Sequence, residues 1–528
     1  MAAATDAPSK KRDASAMDAG YQRITEGSAS MNYELRGADT RNRGTADHDG
    51  PVFYNKVQVF NRDLSVLMIS LFAQWRHIER EERKAKRDAG KAGDGARRRR
   101  RGARAALRAQ RRGPRRRPRA SEHPLRQEVP GVRKVVANDV DADAAAACGR
   151  NAAENGAADI CEAHCGDAVD FMTASRGKGS QGFVIDLDPY GSCAPFLDAA
   201  VQAVNDGGLL CVTSTDMTVL SGNYPEVCFA ARLHAHGGEA PPRVRLRILV
   251  HAIEAAAAKY QRHVVPVLSL SIDFYVRVFV RVYKRPAEVK KSGAKTGVRA
   301  PVRGLPVLLL ATVGALARPR GRPRRGAPPP QGRRQGRVGA PVRARRAREK
   351  KRERAAGGLP EAAPEEEAPP TEEAAPAAPE AALDETVAPA FCGETGAPFK
   401  IGGPIWSAPL HDPEWVLAGL DRVAAGVDAH LSTTERIHGM LTAVSEELLD
   451  VPLYYTLPDL CSGFALRVPQ KWRGPRAALT HAGYRVSQHH REPDAIKTDA
   501  PPRVLWDVFR CWVKKHPSAT IFRSSSSW

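Results

Sequence analysis

The stretch Phe183 to Ser192 reads Phe-Val-Ile-Asp-Leu-Asp-Pro-Tyr-Gly-Ser, and it constrains the fold more than any other part of the chain. Val184 and Ile185 suit a buried strand. Pro189 has no amide hydrogen for a ladder and Gly191 favours a turn, so the strand ends here, with Asp188 and Tyr190 at its carboxyl end. In open α/β sheets that edge is where ligands bind. A carboxylate, a backbone carbonyl and an aromatic face together suit the exocyclic amine of a planar base, which needs a proton acceptor and a stacking surface. The plain alternative is an ordinary Asp-Pro turn.

The neighbouring segments favour a sheet. Val132 to Asp139 is a short β-branched run ending in an acid, and the Ala-rich stretch Ala142 to Asn155 that follows suits a helix. An acid at that strand end can accept both hydroxyls of a ribose, or simply cap the helix. Gly207 to Asp216 reads as another buried strand. Val264 to Val282 reads as an apolar run, then Asp273, then alternation from Phe274 to Val282, which predicts strands with one solvated face. Gly177 to Gly182 has the Gly-x-Gly-x-x-Gly spacing of a dinucleotide site, but it leads into a strand instead of following one, so it reads as a loop. The expected fold class is α/β: a Rossmann-like class I methyltransferase sheet with a smaller C-terminal α/β domain, separated by disordered basic and acidic low-complexity segments.

Taken in order, several blocks resemble the tRNA guanine-26 N2-dimethyltransferase family. They include Glu26-Gly27, Phe53-Tyr54-Asn55, Phe60 to Val66, Val136 to Asp139, Asp186 to Ala200, Gly207 to Pro225 and Leu246 to Val282. Ile401 to Trp406, Thr434 to Ile437, Pro452 to Tyr455, His481 to Tyr484 and Lys497 to Pro501 continue the series. The resemblance implies S-adenosyl-L-methionine as cofactor and tRNA as substrate, with methyl transfer to the N2 of guanine 26. It implies that Arg62 reaches the methionine carboxylate, that Asp139 holds the ribose hydroxyls, and that Asp167 and Ala168 flank the adenine. Asp188, Pro189 and Tyr190 become the catalytic group. Each has a bland reading as well: Arg62 as half of an ion pair on a solvated face, Asp167 as a loop residue.

The chain departs from the family between Asp88 and Gln127, where relatives carry a glycine-containing first strand and this chain has basic low-complexity text. A second break covers Ala231 to Val244. The expected division is a disordered tail at 1–22, a methyltransferase domain at 23–284 disrupted at about 88–127 and 231–244, a low-complexity linker at 285–397, and a tRNA-binding α/β domain at 398–520. In that last domain Pro413 to Ala429, Thr433 to Leu449 and Arg473 to Ala482 read as helices and Pro452 to Thr456 as a strand. Without the first strand, the alternative is a catalytically silent tRNA-binding protein or a defective gene product.

Composition agrees with a polyanion partner. Lys and Arg number 81 against 59 Asp and Glu, a formal charge of +22. Much of the excess lies in runs such as Arg97 to Arg101, which give nonspecific affinity rather than recognition. The nine cysteines follow no framework and read as free thiols, and Cys392-Gly393-Glu394-Thr395 lacks the second cysteine of a zinc knuckle, so no metal is expected. No apolar N-terminal core predicts a secretory signal, and Leu305 to Ala317 is too short to span a bilayer. Lys10-Lys11-Arg12 points to the nucleus, with mitochondrion or cytosol as alternatives. Trp406, His411 and His489-His490 read as packing or surface residues. Oligomeric state is not legible.

Overall fold

The computed structural model describes residues 21–34, 56–91, 128–129, 131–177, 179, 181–220, 242–302, 305–312, 402–463 and 474–516. The chain divides into two compact units, 1–316 with 386–528, and 317–385. The second unit lies wholly outside the described residues, as do Lys10 to Arg12, Phe53 to Asn55, the arginine runs, the acidic segment and Cys392 to Thr395.

A hairpin opens the described chain, with β1 (Tyr21–Glu26) antiparallel to β2 (Ala29–Glu34). Then comes α1 (Val59–Lys91), whose first half carries Phe60, Leu64, Leu67, Met68, Leu71, Phe72 and Trp75 at helical spacing. All seven are buried, so one stripe of this helix seals a face of the sheet. Next are β3 (Val135–Asp139), α2 (Ala142–Glu154), β4 (Cys161–Cys165), α3 (Ala168–Ala174), β5 (Gly182–Leu187), α4 (Ala194–Ala203) and β6 (Val204–Ser214). α5 (Pro242–Ala258) leads to β7 (Arg262–Ile272) and β8 (Tyr275–Lys284). Of the break expected at 231–244, only 242–244 is described, and it begins α5.

Strand order places the sheet in two pieces. β3 pairs with β4 in parallel, and β5-β6-β8-β7 forms a second sheet in which β5–β6 is parallel and the other pairs are antiparallel. Among the described residues no ladder joins the two pieces. Gly208 of β6 lies tight against β5: a Cβ there would lie 2.8 Å from the Phe183 carbonyl oxygen, so a side chain cannot be accommodated without moving a backbone.

The expectation of a solvated face on the last strand pair is overturned. Eight consecutive residues of β8, Tyr275 to Val282, are buried. The two arginines that produced the alternation are buried too, because each meets an acid under α1. Arg281 pairs with Glu79 at 3.0 Å, and Arg277 pairs with Asp186.

Structure continues past Lys284. Within the expected linker, β9 (Thr296–Val302) pairs on one side with β10 (Leu305–Thr312) and on the other with β11 (Gly402–Trp406). The apolar run at Leu305 is thus strand β10, and among the described residues no helix is long and apolar enough to cross a membrane. α6 (Pro413–Ala424) and α7 (Thr434–Ser445) pack Trp415, Val416, Ile437 and Leu441 into the same core as α1, β7 and β8, with the Trp75 and Trp415 ring centroids 4.6 Å apart. A separate core forms from β12 (Tyr455–Thr456), α8 (Leu457–Gly463), α9 (Gly474–His481), β13 (Val486–Ser487), β14 (Ala495–Thr498) and α10 (Pro502–Lys515). β14 is the central strand there.

Candidate active site

Asp188 and Tyr190 follow β5 at its carboxyl end, as the apolar run and Pro189 predict. Gly191 has φ +75°, a conformation that favours glycine, and the turn it makes is pinned to the end of β6. The Gly191 N–H donates to Thr215 Oγ1 at 2.8 Å, and the Thr215 N–H donates back to the Gly191 carbonyl at 3.0 Å. Asp188 is therefore held by a closed turn. Tyr190 is 83% exposed, so a ring face is available for stacking.

Beneath Asp188 lies a network that the sequence did not reveal. The Arg277 guanidinium, 1% exposed, grips Asp186 through two bonds of 2.8 Å and also donates to Thr213 Oγ1 and Ser65 Oγ, each at 2.7 Å. Burial alone would lower its pKa, but the Asp186 carboxylate outweighs that and holds it above the usual arginine value. Ser65 in turn donates to the Asn61 carbonyl at 2.6 Å. The Asn61 amide nitrogen stands 3.5 Å from both Asp188 Oδ2 and Thr213 Oγ1, and it is 2% exposed. The hints were present, since Asn61 precedes Arg62 in the Asn-Arg-Asp block and Asp186 lies two residues before Asp188 on the same strand face.

Asp139 ends β3, beside β4, and its Oδ1 accepts the Asp141 N–H at 2.9 Å. The residue that caps α2 is Asp141, which accepts from Asp143 and Ala144. Asp167 caps α3, accepting from Val169 at 2.6 Å and Asp170 at 3.1 Å, and Ala168 is the first residue of that helix. The Tyr190 phenol is held above its ordinary pKa by loss of water around its hydroxyl and then by the Asp139 and Asp188 carboxylates, which places all three groups in one electrostatic neighbourhood. Arg62 is next to Asn61 on α1 and pairs with Glu26 of the hairpin, Nε to Oε2 at 2.7 Å and Nη2 to Oε1 at 2.6 Å. The acids stand at the end of β3 and after β5, Asn61 of α1 meets the second of them and its neighbour Arg62 meets the hairpin, while Asp167 and Ala168 follow β4, the partner of β3.

A second polar cluster lies apart from this one. His411, Glu447 and His490 bring ligand atoms within 4.8 Å of one another. The Ser269 N–H donates to His411 Nδ1 at 3.3 Å and the Ser271 N–H donates to His490 Nε2 at 3.0 Å. Each backbone donor puts the ring proton on the other nitrogen, so His490 Nδ1 donates to Glu447 at 2.7 Å. Lys497 Nζ sits 3.0 Å from the same carboxylate and supplies the positive charge. The donor set is that of a hydrogen-bonded junction and does not fit a metal ion. Burial pushes the His411 imidazole down to about 3. Trp406, His411 and His489 are buried, in keeping with a packing role.

The comparisons with known proteins follow this geometry. The sequence model of the N2,N2-dimethylguanosine tRNA methyltransferase family matches residues 34–510. A mouse protein named tRNA (guanine(26)-N(2))-dimethyltransferase is 40% identical over 402 residues, covering 76% of this chain and 52% of its own length. A Drosophila melanogaster protein of the same name is 35% identical over 501 residues, covering 89% of this chain and 74% of its own. The chain therefore spans about half the length of the mouse relative. Among solved structures, Trm1 from Pyrococcus horikoshii in complex with S-adenosyl-L-methionine superposes with a TM-score of 0.57 at 20% identity, over 92% of this chain and 99% of that one, which shows a shared fold. With two sheet pieces of methyltransferase order and a family match that runs through nearly all of its length, the chain belongs to the N2,N2-dimethylguanosine tRNA methyltransferase family.

Proposed function

We propose that the chain transfers methyl groups from S-adenosyl-L-methionine to the exocyclic N2 of guanine 26 in tRNA, giving N2-methylguanine and N2,N2-dimethylguanine. The observation that carries this reading is the placement of Asp139 and Asp188 at strand ends, with Asn61 Nδ2 of the Arg62 block 3.5 Å from Asp188 Oδ2. The donor set fits the cofactor: a half-buried carboxylate at Asp139 for a diol, Asp167 and Ala168 at a neighbouring strand end for a purine, and the Arg62 guanidinium for a carboxylate. When bound, the cofactor's sulfonium supplies an electrophilic methyl group. Asp188 accepts a hydrogen bond from the guanine amine and takes its proton as the nitrogen gains positive charge. The Pro189 region offers a carbonyl to the second amine hydrogen, and Tyr190 stacks on the base. Lining up amine and methyl removes much of the entropic barrier. A base turned out of a folded tRNA loses stacking worth about a few kcal/mol, and residues 398–520 would hold the surrounding RNA. Lys10-Lys11-Arg12 supports a nuclear address, which a fluorescent fusion with all three changed to alanine reads directly.

A second reading, a silent tRNA-binding protein, is favoured by the divided sheet, since among the described residues no ladder joins β3 to β5. One experiment separates the two: transfer of labelled methyl to unmodified tRNA by the full chain and by Asp188→Ala, with the product nucleoside identified. The enzyme reading expects labelled N2-methylguanosine, reduced about 10²–10⁴-fold in the variant. tRNA binding without any transfer by the wild type establishes the silent reading.

A further inference from the structure

Glu26 and Arg62 form a two-bond ion pair on the border of the region just described. The hairpin that carries Glu26 is held by further bonds of its own. Ser28 at the hairpin turn donates its N–H to Glu128 Oε1 at 3.0 Å. The Ser30 N–H donates to Asn155 Oδ1 at 2.8 Å and the Asn32 N–H to Asn151 Oδ1 at 2.9 Å, both on or at the end of α2. The hairpin thus spans from the helix that follows Asp139 to the helix that carries Arg62. Glu26 is 15% exposed at its side chain and Arg62 36%, so the pair is partly screened from water yet reachable.

The charges decide what such a pair can take. A ligand that brings only a carboxylate to Arg62 meets a guanidinium already neutralised by Glu26, and it places two carboxylates side by side. A ligand that brings a carboxylate and an ammonium from one carbon adds no net charge and completes an alternating set of four, carboxylate to guanidinium and ammonium to carboxylate. Charge-assisted bonds of this kind are the strong ones. We propose that Glu26 is the acceptor for the α-ammonium group of an α-amino-acid moiety whose carboxylate binds Arg62, so that Glu26 and Arg62 together form a zwitterion clamp. This rests on the cofactor reading above and adds to it a residue that fixes the amino-acid end. Glu26 also links that end to the α2 side of the divided sheet.

The test is calorimetric binding to the full chain, using S-adenosyl-L-homocysteine and its analogue in which the α-amino group is replaced by hydrogen. Glu26→Gln keeps the shape of the side chain and removes its charge. It is expected to weaken S-adenosyl-L-homocysteine about tenfold or more while changing the deaminated analogue less than about threefold. Glu26→Asp, which keeps the charge, is expected to retain preference for the amino compound. Arg62→Met is expected to weaken both ligands. Equal weakening of both ligands by Glu26→Gln would overturn the proposal, since Glu26 would then act only by holding Arg62, and so would no change for either. If the wild type binds neither ligand, the cofactor reading itself falls and the clamp with it.

Discussion

Asp139 ends β3 and Asp188 follows β5, and what backs these two strands differs: β5 lies against a buried ladder and β3 does not. β6, β7 and β8 are buried at almost every position, and helices α4 and α5 close over them in one large apolar cluster. β3 and β4 have no fully buried residue, and the core under α2 consists of Ala152, Ala157 and Ile160 with Cys161 against them. Parallel strands normally sit between covered faces. Val135 at 37% exposure marks β3 as lacking such cover, whereas β5, itself open at Phe183 with 53%, is backed by the buried strand β6. The difference teaches that the part proposed to hold the base is set by packing, while the part proposed to hold the nucleoside is set by hydrogen bonds and helix caps. A ligand that touches both stabilises the weaker one by mass action.

Deleting apolar volume in each half tests the contrast most severely. Phe279→Ala empties a fully buried site on β8 against α1, and a loss of about 3–5 kcal/mol is expected. Val136→Ala on half-buried β3 is expected to cost less than about 1 kcal/mol. Urea unfolding of both variants reads the difference, and equal losses would mean that β3 belongs to a larger core than these contacts describe.

Acid provides a probe of the far edge of the well-packed half, where β7 meets His411 and residues 447–497. His411 is neutral in the fold, with its pKa pushed down by burial to about 3, against an ordinary value of about 6.5. His489 is shifted the same way by the same cause. Between those limits the unfolded chain binds the proton and the folded chain does not, so stability falls as pH drops below about 6.5 and continues to fall toward 3. At pH 5 the His411 share is about 2 kcal/mol. Asn supplies an oxygen where His411 Nδ1 accepts the Ser269 N–H and does not titrate, so in His411→Asn the decline in melting temperature between pH 7 and pH 5 is expected to be shallower. An unchanged decline would assign acid sensitivity elsewhere.

Local chemistry made part of this molecule legible from residues alone. The helix expected at Ala142 to Asn155 is Ala142–Glu154, the strand at Gly207 to Asp216 is Val204–Ser214, and the turn at Asp188-Pro189-Tyr190-Gly191 stands at the strand end. Periodicity and turn residues suffice for such features because neighbours in sequence determine them. What stayed hidden depends on partners far along the chain. Arg277 looked like a solvated residue because alternation reports the pleat, not what covers it, and its acid partner Asp186 is 91 positions away. The hairpin at Tyr21 to Glu34 has too few apolar residues to announce itself, and it is held by Asn151 and Asn155, whose amides carry no sequence signature. Of the break expected at Asp88 to Gln127, residues 88–91 end α1 and the rest lies outside the described residues.

The smallest expected effect is also the most specific to the weaker half. Asp141 caps α2 through bonds of 2.7 and 3.1 Å to the Asp143 and Ala144 N–H groups, and Asp139 Oδ1 holds the Asp141 N–H. Removing such a cap costs about 1 kcal/mol. In a half supported by one small core that amount is a large share of local stability, whereas the hydrogen bonds of the cap all stay within residues 139–144, away from the β6–β8 ladder. Asp141→Ala is therefore expected to speed hydrogen exchange at Val135 to Asp139 and Cys161 to Cys165, with exchange at Val276 to Val282 and the global melting transition unchanged. Such a result would mean that the two pieces open independently, as expected where no ladder joins them. If the variant instead shifts exchange in β8 by the same amount, the pieces unfold as one, and the hydrogen bonds of the hairpin through Asn151, Asn155 and Glu26 are strong enough to take the place of a strand.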